Sequence, residues 1–159
     1  MRRCSLPIAL SLLLISLLGL QFAASQTPTT IGARVNIHPE VFNLKRNGTG
    51  THGVITARVS DLTQEGTSYN ITEIDVSTIA LYHEAAFVAQ SLHTEAAGDH
   101  LIVKFDATTV ANYIWLKLWH MGITPPTPPP SYTITFTVKG ELLNGEEFSG
   151  SDTIKIIFP

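Results

Sequence analysis

Cysteine is almost missing: the 159 residues hold one, Cys4. It precedes an apolar run near the N-terminus, so it cannot be a lipidated cysteine at a mature N-terminus. A domain downstream of it has no disulfide and must fold on its core alone. That is feasible at this length, because roughly two thirds of such a chain's surface can be buried. Charge is sparse as well, at 14% of residues. The common catalytic patterns are absent. There is no Gly-x-Ser-x-Gly elbow for a nucleophilic serine, no glycine-rich phosphate loop and no His-Glu-x-x-His for zinc. These absences leave only an enzyme assembled from Asp, Glu and His on separate strands, and the expectation is a protein without catalytic activity.

Isolated fragments of such patterns do not change this. His93-Thr94-Glu95 has half the spacing of a zinc-deaminase signature, but no cysteine pair completes it. His38, His52, His83, His93, His100 and His120 read as ordinary strand-edge histidines, with no metal and no cofactor implied. Glu146-Glu147 reads as a solvated pair at a hairpin tip.

What is present begins with a targeting layout. Arg2-Arg3 is followed by the apolar stretch Ile8–Leu20 and by small residues at Ala23-Ala24-Ser25. This is the three-part pattern of a secretory signal over residues 1–25, with cleavage expected after Ser25. Spanning a bilayer takes about 20 apolar residues, and Gln21 interrupts the run, so membrane contact is expected only through an uncleaved signal segment. Loss of Arg2 and Arg3 with the signal takes the net charge from −3 to −5. A mildly acidic domain has no electrostatic footprint for nucleic acid.

Residues 26–32 read as a flexible leader, polar through Gln26–Thr30, and 33–159 as one domain. Alternation of apolar and polar residues marks strands at Ala33–Ile37, Val54–Ser60, Ser77–His83, Leu101–Phe105, Ser131–Lys139 and Thr153–Phe158. Shorter pieces fall at Val41–Leu44 and Ala86–Gln90. Asn47-Gly48-Thr49-Gly50 is a turn and Asp61–Asn70 a polar loop. About seven strands separated by turn signals predict an all-β, Ig-like β-sandwich, with one short helix before the C-terminal hairpin. In that helix Asp106 caps the N-terminus and Gly122 closes the C-terminus. Val110, Ile114, Leu118 and Met121 form its core stripe. The proline run Pro125–Pro130 must then be extended and outside any sheet interior.

Candidate contact residues come from the same helix. Trp115 and Trp119 lie one turn apart beside the core stripe, and the apolar arc through them is wider than a core stripe needs. They suit the core under the helix; they also suit a partly exposed aromatic platform for a sugar ring or a protein, with Tyr113 as a third member. Asn47-Gly48-Thr49 and Asn70-Ile71-Thr72 are glycosylation acceptor patterns at Asn47 and Asn70, both in expected loops.

The final hairpin allows a register argument. A two-residue turn at Asn144-Gly145 would place Tyr132, Ile134, Phe136 and Val138 on the opposite side of the sheet from Ile154, Ile156 and Phe158. A three-residue loop, Leu143-Asn144-Gly145, removes the conflict. It sets Ile134 opposite Ile154 and requires a left-handed Gly145. Each large side chain buried this way contributes roughly 1.5–3 kcal/mol, more than turn types differ, so the bulged loop is expected.

Several ordered fragments together carry a resemblance: Val35-Asn36-Ile37-His38-Pro39 with Asn43-Leu44, Ile74–Leu81, Val103-Lys104-Phe105-Asp106, and Val138–Leu142 followed by Asn144-Gly145 and Phe148–Ile154. In this order they resemble a small Ig-like β-sandwich module of secreted and cell-surface proteins from archaea and bacteria. The resemblance runs from about Arg34 to Ile157. It implies an accessory or structural role, with no established catalysis. Members often carry a calcium-like loop before the Val-Lys-Phe-Asp strand. Here Glu95-Ala96-Ala97-Gly98-Asp99-His100 offers two separated acids, too few for calcium's six to eight oxygens, so no such site is carried over. The function expected is a non-catalytic module contacting a surface protein or glycan. Its alternatives are a carbohydrate-binding domain using the aromatic helix, and a filament subunit assembled by strand addition.

Overall fold

A computed structural model describes residues 30–44, 53–123 and 131–158. The signal segment, Cys4, Asn47, His52 and the proline run lie outside them. Among the described residues the fold is all-β with one α-helix. Its elements are β1 (Ile31–His38), β2 (Val41–Asn43), β3 (Val54–Gln64), β4 (Thr67–Tyr69), a 3₁₀ turn (Ile71–Glu73), β5 (Ile74–His83), β6 (Ala86–Gln90), β7 (His93–Ala97), β8 (His100–Asp106), α1 (Ala107–His120), β9 (Ser131–Leu142) and β10 (Glu147–Ile157). The strands join into one curled, half-barrel sheet in the order β6-β5-β9-β10-β1-β3-β8-β7, with β2 on β10 and β4 on β3.

Where the chain alternates, it pairs as expected. The last hairpin has Ile134 opposite Ile154, Tyr132 opposite Ile156 and Val138 opposite Gly150. Gly145 takes φ +86°, and its N–H donates to the Leu142 carbonyl at 2.8 Å. The Leu142 N–H donates to the Glu146 carbonyl, also at 2.8 Å. The three-residue loop thus puts Ile134, Phe136, Val138, Ile154 and Ile156 into one core with Ile37, Ile55, Val59, Val103 and Phe105.

Several boundaries differ from expectation, among them β5, β9 and β10, each of which is longer than its alternating stretch. Strand β1 starts at Ile31, inside the expected leader, because Ile31 is fully buried and pairs in parallel with Phe148. The expected loop Asp61–Asn70 holds the end of β3 and all of β4. Asp61 sits at φ +49° beside a register shift against β1, so the alternation slips one residue and Leu62 rejoins the buried face. Strand β7 has no counterpart among the expected strands. It is an edge strand with no buried side chain, so it has no inward row to read.

Two irregularities shape the outer surface. Strand β5 bulges between Asp75, opposite Glu141, and Ala80, opposite Lys139. The bulge is held by its own polar groups: the Thr78 hydroxyl donates to the Asp75 carbonyl at 2.7 Å and accepts from the Glu141 N–H at 2.8 Å. The β1–β10 ladder pairs only Ile31–Phe148 and Gly32–Ser149; beyond it Ala33 and Val35 pack closely over Gly150, and the Ile37 N–H donates to the Asp152 carboxylate at 2.7 Å. After Pro39, β2 returns to pair in parallel with the far end of β10.

Candidate functional site

Helix α1 follows β8 directly, and its ends are satisfied locally. Asp106 accepts from the Thr109 N–H at 2.9 Å and the Thr109 hydroxyl at 2.6 Å. At the other end Gly122 adopts φ +75°. The Ile123 N–H reaches the Leu118 carbonyl and the Gly122 N–H the Trp119 carbonyl, both at 2.9 Å, which is the Schellman pattern. Ile123 packs against the core, as the apolar residue after such a cap usually does.

The Thr109 hydroxyl, followed by its N–H, holds the Asp106 carboxyl below its ordinary 3.8. A carboxylate so depressed contributes stability that is complete above 3.8 and is lost as pH falls through the lowered value. Asp106→Ala is expected to cost about 1 kcal/mol at neutral pH. Asp106→Asn, which caps without titrating, should lose less stability than the parent between pH 5 and about 2.5. Urea unfolding at the two pH values checks both; equal losses in parent and Asn variant would refute the cap's role.

The helix face is set by geometry. At about 100° per residue, Val110, Ile114 and Leu118 fall within one stripe. All three are buried, along with Ala107 and Ala111. Trp119 lies about 180° from Val110 and is 65% exposed. Leu116, one turn before it, is 57% exposed. Trp115 sits between face and core, half-buried, with its ring 5.9 Å from that of Phe158. Met121, expected in the core stripe, is 47% exposed at the helix end, where the Schellman turn begins, and its sulfur accepts from the Tyr132 hydroxyl at 3.7 Å.

Tyr113 does not join this platform. It lies about 120° around the helix from Trp119, on the opposite flank. Its ring meets His83 edge-on at 5.9 Å, and burial pushes its hydroxyl pKa up. His83 is the buried polar side chain among the described residues; its Nδ1–H donates to the Thr135 carbonyl at 2.9 Å and its ring also abuts Phe136. Lys117, next along that flank, pairs with Glu84 at 3.0 Å, which holds the Glu84 carboxyl low. Tyr113 is therefore a residue that seats the helix. The exposed face consists of Trp119, Leu116 and the outer part of Trp115. Leu116 could have been found in the sequence, since it stands three positions from Trp119.

No family model, curated protein or solved structure matches the chain. The surface therefore has to be read on its own chemistry. Among the described residues no helix is long and apolar enough to cross a membrane. None of their His, Asp and Glu side chains gather in threes that could hold a metal. His38, His83, His93, His100 and His120 fall on five different elements or their ends. Asn70 is exposed and caps the 3₁₀ turn; its Oδ1 accepts from the Thr72 N–H and hydroxyl, both at 3.0 Å, leaving the side-chain nitrogen without a partner among the described residues.

Proposed function

We propose that this chain is a secreted, non-catalytic module that contacts a surface protein or glycan through the Trp119–Leu116–Trp115 face of α1. The observation that carries the reading is Trp119, an indole 65% exposed on the flank of a helix capped at both ends. Exposed tryptophan is costly to keep in water and is favoured at contact surfaces. The signal layout over residues 1–25 and the resemblance to modules of archaeal and bacterial cell surfaces support an extracellular, accessory role. The Ig-like sandwich expected for such a module is supported by the β1–β10 contact. Its ladder ties the halves β6-β5-β9-β10 and β1-β3-β8-β7 over two residue pairs, with the Ile37 N–H bond to the Asp152 carboxylate beyond them.

The test is binding of the labelled, purified protein to intact cells of the producing organism. Trp119→Ala should abolish retention while moving unfolding stability by no more than about 0.5 kcal/mol, as for other exposed positions. Trp115→Ala should cost more stability, because it loses its contact with Phe158. Undiminished retention of the Trp119→Ala protein would refute this face. A glycan array separates sugar from protein as the partner.

A further inference from the structure

The outer face of the sheet carries a second feature, separate from α1. A groove of about 290 Å³ runs over β9, walled by Thr78 and Tyr82 on one side and by Glu147, Ser149 and Thr30 on the other, with Lys139 and Glu141 on its floor. No residue of α1 lines it. The β5 bulge makes the wall: four residues, Val76–Ile79, lie opposite the single Gly140. On the inner side of β9, Gly140 leaves room for the buried Phe148 ring, which lies 2.7 Å from where a Cβ would stand.

Its chemistry is unusual for a bare sheet surface. Glu141 and Glu147 are directly facing cross-strand partners. Like charges in that position repel and destabilise the sheet. Among the described residues neither carboxylate has a hydrogen bond or an ion pair. The nearest cation in the groove, Lys139, instead stands 5.1 Å from the Tyr82 ring centroid. Tyr82 is further fixed by an edge contact with Phe87 at 5.9 Å. The groove therefore offers a held aromatic ring, two free acceptor carboxylates, one ammonium donor and the Ser149 hydroxyl.

We propose that this groove binds a single pyranose ring of a neutral saccharide. The carboxylates accept from neighbouring sugar hydroxyls, and Lys139 swings off the Tyr82 ring to donate to a ring or hydroxyl oxygen, which opens that ring to the C–H face of the sugar. Size agrees: the volume is at the bottom of the roughly 300–1,000 Å³ of drug-sized sites, suited to one ring. An anion is disfavoured by two carboxylates against one lysine. The inference does not depend on the Trp119 face, and the two can fail separately.

The test is an amide-resolved NMR titration of the purified protein with the methyl pyranosides of glucose, galactose, mannose and N-acetylglucosamine. At least one should give saturable shifts at Thr78, Lys139, Glu141, Glu147 and Ser149, with a dissociation constant on the order of 1 mM. Tyr82→Ala and Glu141→Gln should each weaken it about tenfold or more, and Trp119→Ala should leave it unchanged. A second readout separates binding from folding: Glu141→Gln relieves the repulsion, so its melting temperature should match or exceed the parent's. No saturable shift in the groove for any of the four sugars to about 50 mM overturns the proposal, as does saturation that survives Glu141→Gln.

Discussion

Gly150→Val should leave no folded domain at room temperature, and Gly150→Ala should cost about 3 kcal/mol. Gly150 lies on β10 where β1 crosses closest. A Cβ there would run into the Ala33 carbonyl oxygen and stand 2.5 Å from a Val35 methyl. The first obstacle is backbone, so no rotamer change relieves it. Either β1 moves off β10 or β10 bends, and both break the two-pair junction at Ile31–Phe148 and Gly32–Ser149. Overpacking of this kind typically costs about 1–3 kcal/mol and more when backbone is forced aside. A domain whose whole stability is about 5–15 kcal/mol tolerates little of that. Urea unfolding of the alanine variant and the near-ultraviolet circular dichroism of the valine variant check it. An unfolding free energy within about 0.5 kcal/mol of the parent's would show that β1 yields at no cost.

Phe136→Ala is expected to cost about 3–5 kcal/mol, the range for a fully buried phenylalanine. Phe136 has no solvent exposure and faces the core from the middle of β9. It also stands under a chain of ring contacts, 6.1 Å from His83, which meets Tyr113 on α1. The cavity should therefore be felt in the helix. Beyond the lost stability, the aromatic circular dichroism should weaken more in Phe136→Ala than in Phe105→Ala, which leaves the Phe136–His83–Tyr113 ring contacts intact. Equal spectra in the two variants would mean that α1 is seated by its aliphatic stripe alone.

The final hairpin and the helix were legible in the sequence for one reason: each carried two signals that had to agree. In the hairpin, the inward rows of β9 and β10 could share a core only with a three-residue loop, and Gly145 supplied the left-handed position. In the helix, Asp106 and Gly122 bracketed the stripe of Val110, Ile114 and Leu118. Strand β7 had no such pair, since an edge strand with no buried side chain leaves no alternation. The bulge at Asp61 hid the end of β3 by shifting its phase one residue. The parallel pairing of β1 with β10 joins residues more than a hundred positions apart, and no local pattern encodes it. Grouping Tyr113 with the tryptophans missed what the helical repeat already implies, that residues six apart lie on different flanks. The groove at Glu141 and Glu147 depended on the hairpin register together with the β5 bulge, and only the first could be derived from sequence.

The parallel course of the two terminal strands has a mechanical consequence. Strand β1 enters beside the start of β10 at Ile31–Phe148, and β2 lies beside its end at Lys155–Val41, Ile156–Phe42 and Ile157–Asn43. Tension applied between Ile31 and Phe158 pulls the first strand back and the last strand forward. The bonds between them, including Lys155 N–H to the Glu40 carbonyl and Leu44 N–H to the Ile157 carbonyl, lie across the direction of pull. They are loaded in shear and must rupture together, whereas the antiparallel β9–β10 hairpin, pulled open at its ends, would peel one rung at a time.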